Sequence, residues 1–96
     1  MPSTHSNLVA DGPTDVHTHH TPSVTGVQIT VADTIGNGEL VVEQRCDDGT
    51  WRAMPYVFNE PVVKVIHVAS GTLLRGVLSG STAPNLYVEF SDMYQR

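Results

Sequence analysis

The sequence predicts an all-β fold, a small antiparallel β-sandwich or jelly-roll-like domain of about six strands with an extended N-terminal arm. Valine supplies 14 of the 96 residues, and its branched Cβ favours strands over helices. After residue 25, apolar and polar residues alternate with the period of two that a half-buried strand requires. Gly, Pro, Asn or Asp interrupts this alternation roughly every 8 to 12 residues, as in small all-β domains.

The first three strands are expected at residues 27–32, 39–46 and 51–58. Alternate residues share the inward face, which comprises Val27, Ile29 and Val31 in the first strand and Leu40, Val42, Gln44 and Cys46 in the second. Between the second and third strands, Asp48-Gly49 predicts a hairpin, because both residue types accept positive φ.

The last three strands are expected at residues 62–68, 72–78 and 85–90. Pro61 and Gly71 mark the breaks around the first of them, which is apolar on nearly both sides. No helical periodicity supplies the crossover helices that a parallel sheet needs, so the strands are expected to pair antiparallel.

Residues 1–25 form the expected arm, and residues 26–96 the expected β-sandwich domain. The arm is rich in Ser, Thr, His and Pro, and its sizeable aliphatic residues are too few to bury a face of their own. We therefore expect it to dock onto partner subunits, and the remaining domain to fold without it. The docking side chains are Leu8, Val9, Val16 and Val24.

Composition excludes several classes of function. The formal net charge of −5 disfavours binding to nucleic acid. The single cysteine, Cys46, precludes an internal disulfide, which suits a protein made in the cytoplasm. No apolar run is long enough for a signal peptide or a membrane span, so we expect no association with membranes.

The segment from Asp15 to His20 carries a His-x-His pattern, in which His17 and His19 point to the same side of an extended chain. We favour the interpretation that His17, His19 and His20 belong to a solvated arm without metal, because one flexible segment does not preorganise a ligand set. The alternative is a metal on a three-fold axis shared by three copies. That arrangement resembles the His-x-His iron site at the tips of trimeric phage tail spikes.

The sequence does not predict an enzyme, and no cofactor is expected. His67 lies between Ile66 and Val68 in an expected strand, where a lone histidine is more often a packing or rim residue than a catalytic base. Glu43 and Glu89 lie on strands that nothing in the sequence places opposite each other, as an acid pair requires.

The segment Asp47-Asp48-Gly49-Thr50-Trp51 resembles the Asp-box turn of sialidase propellers, in which an aspartate caps the turn and a tryptophan packs beneath it. The resemblance implies that Asp47 and Trp51 are structural anchors, and we expect Trp51 to be an anchor of the core. An alternative interpretation makes Trp51 and Tyr56 the platform of a small carbohydrate-binding module, because indole and phenol rings stack on sugars.

From Gly38 to Asp92 the chain is similar to small virion proteins of tailed phages. The similarity rests on the strand Leu40-Val41-Val42-Glu43, on the Asp-Gly-Thr-Trp hairpin, on a Ser-Gly-Thr-Leu turn and on Leu78-Ser79-Gly80. It implies a β-sandwich of the capsid decoration or cement type, without enzyme activity, outside the head. Its expected partners are major capsid protein subunits and further copies of the chain, as a dimer or trimer. The alternative location is the tail or baseplate.

Overall fold

The computed structural model describes residues 3–19, 26–69 and 71–93, which form nine strands and include no helix. The all-β prediction is confirmed. The strands are β1 (Ser3–Leu8), β2 (Gly12–Pro13), β3 (His17–Thr18), β4 (Gly26–Thr34), β5 (Glu39–Arg45), β6 (Trp51–Phe58), β7 (Val62–Ile66), β8 (Leu73–Ser79) and β9 (Asn85–Met93).

The strands form two antiparallel sheets that pack face to face as a small β-sandwich. Sheet A has the order β1-β9-β4-β7, and sheet B has the order β2-β8-β5-β6, with β3 also paired to β8. Each sheet therefore contains strands from the first fifth of the sequence and from its last third. The strand ladders tie these distant parts of the chain together.

The core lies between the sheets and is built from alternate residues of their strands. The predicted inward faces are confirmed for Val27, Ile29 and Val31 in β4 and for Leu40 and Val42 in β5, all of which are buried. Burying an aliphatic side chain of this size contributes about 1.5–3 kcal/mol. The other buried apolar residues are Ile35, Phe58, Ile66, Val68, Leu74, Leu78, Leu86, Val88 and Phe90.

The predicted hairpin between β5 and β6 is also confirmed. The Cys46 N–H donates to the Thr50 carbonyl at 2.8 Å, and the Gly49 N–H donates to the Cys46 carbonyl at 2.9 Å. Gly49 adopts φ of 85°, a left-handed conformation that explains the glycine at this position.

Strand β7 differs from the expected strand at residues 62–68. It ends at Ile66, and Val63 and Val65 are exposed. The reason is its position, because β7 is an edge strand of sheet A and the outer face of that sheet is not covered by another layer in the described part of the chain.

The N-terminal segment, residues 3–19, is extended as predicted, but it runs along the chain's own sheets. β1 pairs with β9 in sheet A, and β2 and β3 pair with β8 in sheet B. Thr14, between β2 and β3, is buried beside β8. Its N–H donates to the Gly76 carbonyl at 2.8 Å, and its hydroxyl accepts from the Gly76 N–H at 3.0 Å. Backbone pairing therefore compensates for the scarcity of aliphatic residues, and these residues are part of the sandwich.

Asp11 fastens the connection between β1 and β2 to the loop after β8. Its carboxylate accepts hydrogen bonds from the backbone N–H groups of Gly80 and Ser81, each at 3.1 Å, and from the Ser81 hydroxyl. The Ser81 hydroxyl, followed by the Ser81 backbone N–H, lowers the pKa of Asp11 below its usual value.

We expect Asp11→Asn to lower the melting temperature near neutral pH and to have little effect in strong acid. The native pKa lies below the unfolded value of about 3.9, so the carboxylate stabilises the fold above that value, and this stabilisation is lost as pH falls through the native pKa. Thermal unfolding followed by circular dichroism at neutral and strongly acidic pH measures the difference. Asp47→Asn, at another exposed aspartate, is the control. An equal deficit for Asp11→Asn at both pH values would contradict this role of the carboxylate.

Candidate functional site

A buried polar cluster of His17, His19 and Asp92 lies between the two sheets. His17 belongs to β3 and His19 follows that strand, so both are carried by sheet B. Asp92 lies near the end of β9 in sheet A. The cluster therefore connects the two sheets of the sandwich through side chains.

The alternation of β9 places Asp92 in this position. Leu86, Val88 and Phe90 are the buried residues of the strand, and Asp92 is the next residue on the same face. It takes a place in the core where the pattern would otherwise put an aliphatic side chain. A buried carboxylate without hydrogen-bond donors would cost free energy, so Asp92 needs the donors that His17 and His19 supply.

One carboxylate oxygen joins the three side chains. The Nε2 of His17 lies 2.7 Å from Oδ1 of Asp92, and the Nδ1 of His19 lies 2.8 Å from the same oxygen. The Oγ1 of Thr4, on β1, lies 3.0 Å from the Nδ1 of His17. The His17 ring also stacks on Phe90, with 6.0 Å between ring centroids. His17 is 1% exposed, and His19 and Asp92 are each 0% exposed.

These contacts define the proton positions that the site favours. With the carboxylate as acceptor, His17 donates from Nε2 and His19 donates from Nδ1. A neutral His17 then accepts from the Thr4 hydroxyl at Nδ1. The Nε2 of His19 is buried without a hydrogen-bond partner. The cluster is therefore suited to holding strands together.

The three-fold metal interpretation does not fit this geometry. His17 and His19 direct nitrogen atoms at one carboxylate inside their own chain, and their burial keeps them from a surface shared with other copies. In the ranges 3–19, 26–69 and 71–93, no group of three or more His, Cys, Asp or Glu residues is arranged to hold a metal ion. His20 lies outside the described residues.

The four expected docking residues have different surroundings. Leu8 is partly buried against the chain's own core. Val9 is 69% exposed and Val16 is 46% exposed. Val24 lies outside the described residues. Of the three expected docking residues that the structure describes, Val9 and Val16 present an exposed apolar side chain to a partner.

In the hairpin, Asp48 takes the role that the Asp-box resemblance assigned to Asp47. The Asp48 carboxylate accepts from the Thr50 N–H at 3.0 Å and from the Thr50 hydroxyl at 2.6 Å, and it pairs with Arg52 at 3.0 Å. The Thr50 hydroxyl is the largest of the effects that lower the pKa of Asp48. Asp47 is exposed at the tip of the turn.

Trp51 is half-buried and lies outside the core that it is expected to anchor. The guanidinium carbon of Arg75 lies 4.3 Å from the centroid of its ring. Tyr56 packs against the core instead, with the Lys64 ammonium 5.9 Å from its ring centroid. The two aromatic side chains therefore do not form one sugar-binding platform.

The other residues considered for a catalytic role, Glu43, Glu89 and His67, lie apart from one another in sequence and in the two sheets. Glu43 pairs with Arg75 at 2.8 Å on sheet B, whereas Glu89 lies on sheet A and accepts from the Tyr87 hydroxyl at 2.9 Å. The hydrogen bond to Glu89 raises the pKa of Tyr87. His67 is exposed, just beyond the end of β7. Glu43 and Glu89 do not form an acid pair across a cleft.

Comparison with models of protein families, with curated proteins and with solved structures finds no match to this chain. Among the residues that the structure describes, no helix has the length and apolar character needed to cross a membrane.

Proposed function

We propose that the chain is a structural, non-enzymatic virion protein of a tailed bacteriophage. In this role it binds the outside of the head between major capsid subunits and stabilises the shell. The observation that carries the proposal is the exposure of Val9 and Val16 on an N-terminal segment held in place by its own sheets. The similarity of residues 38–92 to small phage virion proteins supplies the class of partner.

Physical arguments support a cementing role for such a surface. An ordered apolar surface binds without the entropy loss of ordering a free arm. A ligand that binds only assembled subunits stabilises the assembly by mass action, and many weak contacts over a repeating shell add up. The net charge of −5 suits a position outside the shell, away from packaged DNA.

The test is the number of copies of the chain on purified phage particles, measured by quantitative mass spectrometry. Hundreds of copies per particle are expected for a head protein that follows the shell lattice. A count of three to a few dozen copies would indicate that the chain belongs to the tail or baseplate and not to the head. Absence of the chain from the particles would overturn the virion role altogether.

We expect Val9→Asp/Val16→Asp to reduce the number of bound copies at least tenfold, because two buried carboxylates would be unpaired in the contact. The matched control is Val63→Asp/Val65→Asp, which alters two valines of similar exposure, 62% and 43%, on β7. This control should leave the copy number unchanged. A loss of bound copies seen only with the β7 variant would indicate that the chain docks through β7 and not through Val9 and Val16.

A further inference from the structure

The outer face of sheet B carries a row of apolar residues that crosses β2, β8, β5 and β6. The register places Pro13 opposite Val77, Val77 opposite Val41, and Val41 opposite Val57. Pro13 is exposed, Val57 is 52% exposed, and the two central valines are half-buried. We call these four residues the apolar row.

A charged row lies directly beside the apolar row. Arg75 on β8 is opposite Glu43 on β5, and their side chains form an ion pair at 2.8 Å. The Arg75 guanidinium also rests on the Trp51 ring. Two partners on its own chain thus hold Arg75 in a defined position on the surface.

The corresponding face of sheet A is different in character. Its two central strands present Gln28 and Thr30 on β4, and Tyr87, Glu89 and Ser91 on β9. The Glu89 carboxylate accepts hydrogen bonds from both the Tyr87 and the Ser91 hydroxyl. Polar residues therefore dominate the middle of sheet A, whereas the middle of sheet B is apolar.

We propose that the outer face of sheet B is the contact surface of a two-fold symmetric dimer with a second copy of the chain. A two-fold axis parallel to the strands, between β8 and β5, places β8 of one copy over β5 of the other. Val77 then faces Val41 of the second copy, and Pro13 faces Val57. Each apolar residue of the row meets another apolar residue, as an isologous interface requires.

The charges select this axis. It places Arg75 of each copy over Glu43 of the other, so that the four side chains form a square of alternating charge. A two-fold axis along the apolar row, perpendicular to the strands, would instead place Glu43 over Glu39 of the second copy, because these residues lie two positions on either side of Val41. That arrangement opposes like charges twice and is disfavoured.

The size of the face predicts a weak dimer. Strands β8, β5 and β6 are seven or eight residues long. With the segment of β2 and β3 along the edge of β8, they cover roughly 450 Å² per copy at a strand spacing of about 4.8 Å. A standard stable interface buries about 800 Å² per partner. We therefore expect a dissociation constant of the dimer in the micromolar range or higher, so that the dimer forms only as the protein concentration rises. This inference does not depend on the proposed virion role.

Sedimentation velocity over a wide range of concentrations measures the association. The native chain should shift from monomer to dimer, and Val57→Asp should abolish the shift, because it places two carboxylates in the apolar row. Val63→Asp is the matched control, at an exposed valine on the outer face of sheet A. It should leave the dimer intact. Circular dichroism establishes that each variant is folded.

The charge square allows a sharper test by mixing two variants. Arg75→Glu and Glu43→Arg each break the ion pair within the chain and oppose like charges across the axis, so each alone should be monomeric. In a mixture, the two acidic positions of one chain face the two basic positions of the other, and a heterodimer should form. Adding Val57→Asp to either partner should prevent it, which separates this dimer from general attraction between oppositely altered chains.

Three results would overturn the proposal: a native chain that stays monomeric at every concentration, equal losses for Val57→Asp and Val63→Asp, or a mixture that does not associate. The copy number expected on phage particles does not depend on any of these results. Failure of the dimer and failure of the virion role are therefore distinguishable.

Discussion

A chain that lacks residues 1–25 is expected to lose cooperative folding, although the sequence alone predicts that residues 26–96 fold independently. The deletion removes β1, β2 and β3, and so leaves β9 and β8 without a neighbour along one edge. It also leaves the buried Asp92 without His17 and His19. Leaving a buried charge such as this carboxylate uncompensated costs about 3–5 kcal/mol, a large share of the roughly 5–15 kcal/mol that stabilises a small domain.

Circular dichroism and urea unfolding measure the effect of this deletion. A chain that lacks only residues 1–2, which precede β1, is the control and should unfold cooperatively. A peptide of residues 1–25 added to the truncated chain should restore folding, and the same peptide with His17→Ala/His19→Ala should not. A truncated chain with a cooperative transition near the native midpoint would show that the N-terminal segment is dispensable.

The second large effect is expected at Asp92. Asp92→Ala removes the oxygen to which both histidine rings donate, and it leaves buried N–H groups without that acceptor in a space that the smaller side chain does not fill. We expect it to lower the free energy of unfolding by about 2–5 kcal/mol, measured by urea denaturation, because each buried donor that loses its acceptor costs about 1–3 kcal/mol. Asp92→Asn should cost less, because its amide oxygen still accepts hydrogen bonds, although more weakly than a carboxylate.

A triple variant tests the physical origin of this loss. His17→Leu/His19→Leu/Asp92→Leu removes the hydrogen-bonding side chains of all three residues together. It is expected to recover much of the stability lost in Asp92→Ala, because replacing both partners of a buried hydrogen bond by apolar groups is often nearly neutral. A loss below about 1 kcal/mol for Asp92→Ala would show that the cluster does not stabilise the sandwich.

The parts of the fold that follow from local pattern are predictable from the sequence. The strand at residues 51–58 has the predicted bounds because Asp48-Gly49 fixes its start and the break at Asn59 to Pro61 its end. The inward residues of β4 follow from strict alternation. These features depend on neighbours in sequence, which the sequence displays directly.

The cluster depends on pairing between residues 73 to 75 positions apart, which local pattern does not show. The His-x-His spacing correctly indicates that His17 and His19 share a side. Their polarity, however, favours a solvated arm, because polar residues are usually exposed. Asp92 lies beyond residue 90, the expected end of the last strand, so the predicted strand does not include its place on the inward face of β9.

The pairing of β1 with β9 also determines when the protein can fold. β1 leaves the ribosome well before its hydrogen-bonding partners, from Leu86 to Ser91, are synthesised. β1 must therefore wait for its partner strand, and sheet A closes only after β9 has emerged. Because contacts between such distant residues make folding slow, the nascent sandwich passes through an interval in which the edges of β8 and β9 are open to other chains.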